Sequence, residues 1–229
     1  MPHAAQVVGW APVATPTPSA VFIDLDRTLL AHASGQALNR ALVDEGVLPQ
    51  GRTLPGDRLL YAINDRLGEN LLSMGLVRAA ARVAKGWRQD QVRQAGKRAA
   101  AELTTMVAPF APQYLAEFRQ AGHKLVLATT TPADMITPFA EAMGFDDVIA
   151  TTYETKDGRY TGRLFEGFVW GTGKLKAVRA WAEDHDIDLA ECHACSDSVF
   201  DTPLLSSVGY PHAVNPDPGL TLIAAARSA

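Results

Sequence analysis

The sequence predicts an α/β fold, a doubly wound and mainly parallel β-sheet that carries an inserted helical segment. Three observations lead to this prediction. A short β-branched and aromatic run at residues 21–23 indicates a buried strand. Strand-like and helix-like segments alternate from residue 112 onwards, as in a parallel sheet covered by helices on both faces. Between these two regions, residues 33–109 show mainly helical periodicity.

The first strand follows a proline-rich stretch and ends at Asp24. In the inserted segment, apolar residues recur at spacings of three and four, which predicts helices around residues 38–45, 59–67, 72–83 and 92–106. Pro109 and Pro112 then interrupt the pattern. Because an insertion of about 75 residues is far longer than the usual connection of ~2–6 residues, it is well placed to cover the ligand-binding edge of the sheet.

The remaining elements follow from periodicity, glycine stops and one turn signal. Asp157-Gly158, between flanks rich in Thr and Tyr, indicates a β-hairpin over residues 153–165. Strands are predicted at residues 124–128, 147–151, 192–195 and 212–214. Helices are predicted at residues 112–120, 132–143, 173–185 and 201–206, and from residue 218 onwards.

Composition and charge exclude several classes of protein. The chain has 229 residues, of which 47% are hydrophobic and 20% charged, so it is neither disordered, nor collagen-like, nor a disulfide scaffold. No apolar run approaches the ~18–20 residues of a membrane-spanning helix. A net charge of −4 argues against a nucleic-acid partner. Two cysteines suit a reducing compartment, and the absence of Lys and Arg from the first 20 residues argues against a secretory signal, so we expect a cytoplasmic protein.

The uneven distribution of charge suggests two modules. Residues 33–109 hold 11 Lys or Arg and 7 Asp or Glu, whereas the rest of the chain is net negative. We therefore expect a loosely ordered extension at 1–20, a catalytic core formed by 21–32 and 110–229, and a helical cap at 33–109. Oligomeric state cannot be predicted from the sequence.

Two carboxylates and a hydroxyl, Asp24, Asp26 and Thr28, directly follow the first strand. Unpaired carboxylates in one cleft repel each other unless a cation or a shared proton intervenes. Mg²⁺, a hard cation that prefers oxygen ligands, is the natural partner. The alternative is an ordinary turn that an aspartate caps.

Two further groups are candidates for anion binding. Thr129 and Thr130 precede a predicted helix, where a hydroxyl and free N–H groups form an anion site or, alternatively, a simple helix cap. Lys174 follows a glycine turn near the start of another helix. Its surroundings lack the spacing of a nucleotide-binding P-loop, so the lysine is either a point charge for a phosphate or a solvated helix residue.

A second pair of carboxylates, Asp197 and Asp201, follows the strand at 192–195. At a spacing of four, both side chains lie on one face of the turn that enters a helix, and they add negative charge to the edge that holds Asp24. Asp201 as a helix cap is the alternative for that residue alone. Cys192 and Cys195, three apart on a buried strand, point to opposite faces and are expected to be core residues.

In this order and at these strand ends, the four clusters resemble the motifs of the haloacid dehalogenase-like (HAD) superfamily. Asp24-x-Asp26-x-Thr28 resembles its first motif, Thr129 the second, Lys174 the third and Asp197-x-x-x-Asp201 the fourth. Residues 209–217 and the helical insertion are similar to subfamily IB, which includes phosphoserine phosphatases and carries a C1 cap. The resemblance covers residues 20–220 and implies a Rossmann-like core.

The resemblance also implies roles and a cofactor. Asp24 is expected to be the nucleophile, forming an aspartyl-phosphate, and Asp26 the general acid and base. Thr129, Thr130 and Lys174 are expected to bind the phosphoryl oxygens. Mg²⁺ is expected to bind Asp24, Asp197 and the backbone carbonyl of Asp26. Asp201 would ligate it through water or orient the site, and Thr28 would hold the loop.

The function that follows is Mg²⁺-dependent hydrolysis of a small phosphomonoester. Three alternatives stay open: a phosphotransferase or phosphomutase using the same aspartyl-phosphate, phosphoserine phosphatase proper, and a non-catalytic binding protein. Three departures from the family pattern bear on substrate or geometry. Ala33 stands where phosphoserine phosphatases have a substrate-binding Glu, Thr130 and Thr131 replace two glycines, and Ser196 replaces the usual Gly before Asp197.

Overall fold

The computed structural model describes residues 7–8, 19–49 and 80–227. Its strands are β1 Val7–Val8, β2 Ala20–Ile23, β3 Lys124–Pro132, β4 Asp147–Lys156, β5 Arg159–Phe165, β6 His193–Ser196 and β7 Tyr210–Val214. Its helices are α1 Gly35–Asp44, α2 Gln89–Thr105, α3 Ala111–Gln120, α4 Ala133–Ala142, α5 Thr172–Asp184, α6 Thr202–Leu205 and α7 Pro218–Arg227, with short 3₁₀ turns at Leu189–Glu191 and Val199–Asp201. Residues 80–83 are also helical.

The strands form one sheet in the order β1-β7-β6-β2-β3-β4-β5. The five strands from β7 to β4 are parallel, as predicted, and helices connect them. β5 returns antiparallel to β4 through Asp157 and Gly158, whose φ angles of 51° and 72° are the left-handed values of a tight hairpin turn. This arrangement confirms the α/β prediction and the hairpin.

Two residues of the N-terminal extension form a short edge strand. β1 pairs antiparallel with β7, Val7 opposite Val214 and Val8 opposite Ala213. Two consecutive valines favour extended backbone, and an edge strand such as β7 offers unpaired N–H and C=O groups. Residues 7–8 are thus paired with the sheet. The rest of residues 1–18 lies outside the described part of the chain, so the loosely ordered extension at 1–20 stays a prediction.

Side chains alternate across the sheet and build two core layers. In β2, Val21 and Ile23 pack with apolar residues of α1 to α4, whereas Ala20 and Phe22 pack with those of α5 and α7. The two free cysteines follow the same rule, because Cys195 lies in the first layer and Cys192 in the second, both buried. The interpretation of this pair as core residues is confirmed.

The strand β3 is longer than predicted. It runs to Pro132 rather than ending at residue 128, because three consecutive threonines favour extended backbone and the residue before a proline is pushed away from helical angles. Helix α4 begins at Ala133, as predicted to within one residue.

The inserted segment is attached to the core through α2 and α4. Gly96 of α2 lies so close to α4 that a Cβ atom there would stand 2.7 Å from the Asp134 carbonyl oxygen. The Asp134 carboxylate accepts hydrogen bonds from Gln89 and Arg93 of α2 and from Tyr160 of β5. The helices expected around 38–45 and 92–106 are present as α1 and α2. The helix expected at 59–67 and most of the one at 72–83 lie outside the described residues, so the cap boundary at 33–109 stays a prediction.

Among the helices that the structure describes, none is long and apolar enough to cross a membrane.

Candidate active site

The predicted site residues meet at the carboxyl edge of the parallel strands. β2 and β6 are neighbours with Ile23 opposite Cys195, and the Asp24 N–H donates to the Cys195 carbonyl over 3.0 Å. Asp24 and Asp197 therefore leave adjacent strands at the same edge of the sheet. Ligands of open α/β sheets bind at this edge.

Lys174 is the centre of the cluster. It is 1% exposed, and its Nζ donates to Asp24 Oδ1 over 2.9 Å and to Asp201 Oδ2 over 2.7 Å. Glycines make this placement possible: Gly171 caps α5 at a φ of 55°, and a side chain at Gly173 would overlap the Phe168 carbonyl. The alternative of a solvated helix lysine is excluded by its burial.

Asp24 is 8% exposed, and its surroundings shift the pKa of its carboxyl group in both directions. Burial raises the pKa of its carboxyl group, the Lys174 ammonium opposes this, and the charges of Asp201 and Asp26 add to the rise; the resulting pKa is about 7. A carboxylate at this edge needs more positive charge than Lys174 alone provides to be fully ionised at neutral pH.

Asp201 is the N-cap residue of α6, directly before Thr202, but its side chain makes no capping hydrogen bond. Its Oδ2 instead accepts from Lys174 and, over 2.7 Å, from the Ser196 hydroxyl. Asp201 therefore occupies the N-cap position that the alternative gave it, but its side chain does not cap the helix. Oδ1 of Asp201 is buried and has no hydrogen-bond partner among the described residues.

Ser196 has a role that sequence reasoning missed. Its hydroxyl donates to Asp201 and accepts from the backbone N–H of Ser198 over 3.1 Å, so it links the end of β6 to the fourth motif. The signal was available, because a hydroxyl replaces the usual glycine immediately before Asp197.

Asp26 is held from the start of the inserted segment. Its Oδ1 accepts from the backbone N–H of Ser34, one residue before α1, over 2.6 Å. The orientation of this carboxyl group therefore depends on where α1 begins. Thr28 is buried in the same loop, and its hydroxyl has no hydrogen-bond partner among the described residues, so the loop-holding role expected of it is not seen as a hydrogen bond.

The three threonines of β3 differ in what their hydroxyls contact. Thr129 is buried, and its hydroxyl lies 3.3 Å from that of Thr131. The cap of α4 is Pro132, so the helix-cap alternative for Thr129 is wrong. The Thr130 hydroxyl donates to the Val169 carbonyl over 3.0 Å, in the loop that leads to Lys174. Its side chain thus supports that loop, which leaves Thr129 as the hydroxyl that better fits the predicted phosphate contact.

Asp197 is paired with a residue that the sequence analysis did not single out. Nε of Arg27 lies 3.0 Å from Asp197 Oδ2. Arg27 belongs to the first motif, directly after Asp26, so its position in the sequence was the only signal.

The donor set fits a Mg²⁺ ion. Asp24 and Asp197 supply carboxylate oxygens from adjacent strand ends, and the buried Asp201 Oδ1 is an acceptor that no described residue satisfies. In the described part of the chain no three His, Cys, Asp or Glu side chains already form a closed group of ligands. Mg²⁺ does not need one, since it keeps several waters and binds through one or two carboxylates together with substrate phosphate.

Comparison with known proteins gives a consistent assignment. Residues 21–206 match the family model of the haloacid dehalogenase-like hydrolases. The chain is 34% identical over 217 residues to the inhibition of morphological differentiation protein of Streptomyces azureus, covering 91% of this chain and 76% of that protein. It is 29% identical over 219 residues to a probable phosphatase of Mycobacterium tuberculosis (strain ATCC 25618 / H37Rv), covering 91% and 73%.

Solved structures with a similar fold include two that bear on this comparison. A protein of unknown function from Bordetella pertussis Tohama I is similar with a TM-score of 0.76 and 27% identity, covering 93% of this chain and 96% of that one. A phosphoserine phosphatase, solved as an analogue of its phospho-aspartyl intermediate, is similar in fold with a TM-score of 0.57 and 18% identity, covering 86% of each chain. Because the family model matches most of the sequence, the chain belongs to the haloacid dehalogenase-like hydrolases.

Proposed function

We propose that this phosphatase hydrolyses a small phosphomonoester through an aspartyl-phosphate on Asp24, with Mg²⁺ as its cofactor. The observation that carries the proposal is the buried contact of Lys174 with Asp24 and Asp201. A buried lysine between two carboxylates costs desolvation energy that an apolar residue would avoid, so its presence here favours a chemical role.

Nucleophilic attack begins at Asp24. One carboxylate oxygen attacks the phosphorus atom while the bond from phosphorus to the ester oxygen breaks. Asp26 protonates the leaving oxygen, and its carboxylate then removes a proton from the water that hydrolyses the aspartyl-phosphate. The Ser34 N–H that binds Asp26 Oδ1 fixes the orientation of this carboxyl group.

Charge neutralisation supplies the rest of the catalysis. Lys174 and the Thr129 hydroxyl contact the phosphoryl oxygens, and Asp201 together with Ser196 holds the lysine in position. Mg²⁺ bound by Asp24, Asp197 and the Asp26 carbonyl would neutralise charge on the transferring phosphoryl group and keep Asp24 ionised.

Two positions bear on the identity of the substrate. Ala33 replaces the substrate-binding carboxylate that phosphoserine phosphatases place there, and the Thr130 hydroxyl is bound to Val169, where those enzymes have glycine. Both features favour a small phosphate ester other than phosphoserine.

The test is phosphate release from phosphoserine, histidinol phosphate, sugar phosphates, glycerol phosphates and a nitrophenyl ester, each with Mg²⁺ and with EDTA. Asp24→Asn removes the nucleophile, and Asp184→Asn, an exposed aspartate at the end of α5, is the matched control. We expect Mg²⁺-dependent release by the wild-type protein and by the control, and a loss of at least about a thousandfold in Asp24→Asn. Acid-quenched wild-type protein should carry one phosphoryl group by mass spectrometry.

Three outcomes would contradict the proposal in different ways. Release that Asp24→Asn retains would remove the nucleophile assignment. Phosphoryl transfer to added alcohols or sugar phosphates in preference to water would indicate a phosphotransferase. Absence of both turnover and Mg²⁺ binding would leave a binding protein on this fold.

A further inference from the structure

Arg27 occupies an unusual position in the loop between the nucleophile and the inserted segment. Its φ of 60° lies in the left-handed region, which costs a non-glycine residue about 1 kcal/mol or more. Its carbonyl oxygen accepts a hydrogen bond from the Asn215 side chain over 3.0 Å, which fixes this conformation from the segment after β7. The backbone therefore holds the Arg27 side chain in one direction.

The Arg27 side chain forms an ion pair with Asp197. The Arg27 Nε lies 3.0 Å from Asp197 Oδ2, and the two side chains are 20% and 5% exposed. The Asp197 carbonyl accepts from the Asp217 N–H over 2.7 Å, so the main chain of Asp197 is fixed as well. Asp197 is buried at the edge of the sheet, whereas its arginine partner reaches solvent.

Lys174 and Arg27 form the ion pairs seen at the site with different carboxylates. Lys174 contacts Asp24 and Asp201 and is inaccessible, while Arg27 contacts Asp197 at the outer side. Asp197 is also the carboxylate to which the proposed function assigns a metal. A guanidinium and a divalent cation at one carboxylate repel each other strongly, because charges at contact distance interact by several kcal/mol even at the effective dielectric of a protein surface.

We propose that Arg27 is a positioning residue that holds Asp197 in the metal-free enzyme and competes with Mg²⁺ for it, so that the affinity for the metal is set by this exchange. The inference rests on the proposed function only in taking Asp197 as a Mg²⁺ ligand. Arg27 has a path outward because part of its side chain already faces solvent. Asp197 is thereby kept paired and oriented until the metal binds, and the protein binds Mg²⁺ less tightly than its carboxylates alone would allow.

The experiment measures Mg²⁺ binding itself, by isothermal titration calorimetry on the full chain without substrate. Arg27→Gln removes the charge at the same backbone conformation, and Arg27→Gly removes the charge and also relieves the left-handed strain. Arg27→Lys keeps the charge. The matched control is Arg163→Gln, because Arg163 forms an exposed ion pair with Glu154 over 2.8 Å on β5. Thermal unfolding without metal checks that each variant is folded.

We expect Arg27→Gln and Arg27→Gly to bind Mg²⁺ about tenfold more tightly than the wild-type protein, the size expected for losing one hydrogen-bonded charge pair that opposes binding. Arg27→Lys and Arg163→Gln should stay within about twofold of wild type, since both leave a positive charge at position 27.

An unchanged or weaker affinity for Mg²⁺ in folded Arg27→Gln and Arg27→Gly would overturn the inference while leaving the phosphatase proposal intact. Tighter binding in Arg163→Gln to the same extent would overturn it too, because the effect would then be one of net charge. If the wild-type protein binds no Mg²⁺, the inference fails together with the metal dependence of the proposed function, and phosphate release in EDTA tells that case apart.

Discussion

Two buried histidines make the stability of this protein depend on pH in a way that can be measured. His193 on β6 and His212 on β7 are 1% and 3% exposed, and their rings share a hydrogen bond, Nδ1 to Nε2, over 2.8 Å. The His193 ring lies 4.7 Å from the rings of His123 and Tyr210 and 4.9 Å from that of Phe118. Among the described residues no carboxylate forms an ion pair with either ring that would stabilise a charged imidazole.

This environment holds both rings neutral. Burial lowers the pKa of His193 to about 3, with smaller contributions from His212 and His123, and burial lowers the pKa of His212 to about 4. Since an unfolded chain has an ordinary histidine pKa of about 6.5, the unfolded state binds more protons below that pH. The stabilising contribution of the neutral pair is therefore present above pH 6.5 and is lost as the pH falls towards 4.

The magnitude follows from these values. Lowering the pH from 7.5 to 5.5 should cost about 1.4 kcal/mol of unfolding free energy for each histidine, or about 3 kcal/mol for the pair. A loss of that size is a large share of the ~5–15 kcal/mol that stabilises a typical domain. The effect should appear as a steep fall of the urea midpoint below pH 6.5.

The perturbation is the double variant His193→Phe/His212→Phe. It removes both partners of the hydrogen bond, so neither is left unsatisfied, and it places rings of similar shape among aromatic neighbours. Urea unfolding in EDTA at pH 7.5, 6.5 and 5.5 should show a pH dependence reduced by about 3 kcal/mol relative to wild type. His193→Gln/His212→Gln serves if the larger rings impair folding, and the partly exposed His185→Gln is the control. A folded double variant with the wild-type pH dependence would refute the reasoning.

Three further changes test other parts of the structure. Asp24→Asn should raise the free energy of unfolding of the metal-free protein by up to about 4 kcal/mol at pH 8 and little at pH 4, because the buried carboxylate destabilises the fold only once it ionises. Urea midpoints of the variant that equal those of the wild-type protein at both pH values would contradict this. Ser196→Gly should cost about 1–2 kcal/mol and several-fold in turnover, since Asp201 loses a buried donor; unchanged turnover would make the bond dispensable. Gly96→Ala should cost about 1–3 kcal/mol in urea unfolding through overlap with the α4 backbone, whereas Lys97→Ala, exposed on the same helix, should be neutral; equal losses would contradict the close packing.

Local patterns were sufficient for the strand ends where the chemistry lies. The run Val21-Phe22-Ile23 placed Asp24 at the end of a buried strand, and Asp157-Gly158 placed a hairpin, because both signals depend on a few neighbouring residues. The length of β3 was underestimated, since helix and strand preferences compete where three threonines meet a proline. The helix predicted at residues 59–67 lies outside the described part of the chain and stays a prediction.

Contacts across the sheet could not be predicted in this way. The pairing of His193 with His212 depends on the register of β6 and β7, in which His193 stands opposite Tyr210 and Cys195 opposite His212. The contact of Arg27 with Asp197 depends on a left-handed backbone angle and on a hydrogen bond from Asn215, a residue 188 positions away. Neither periodicity nor spacing within one segment carries this information.

The charges of the site determine how far Asp24 is ionised. Four motif carboxylates, Asp24, Asp26, Asp197 and Asp201, are accompanied by the cations Lys174 and Arg27. Burial raises the pKa of Asp24, the Lys174 ammonium opposes this, and the charges of Asp201 and Asp26 add to the rise. A carboxylate with a pKa of about 7 is partly protonated at neutral pH and is therefore a weak nucleophile. Replacing the single charge of Arg27 at Asp197 by a divalent ion would add positive charge near Asp24 and lower its pKa. The same exchange would then both complete the metal site and ionise the nucleophile, so metal affinity and nucleophile ionisation should change together in the Arg27 variants.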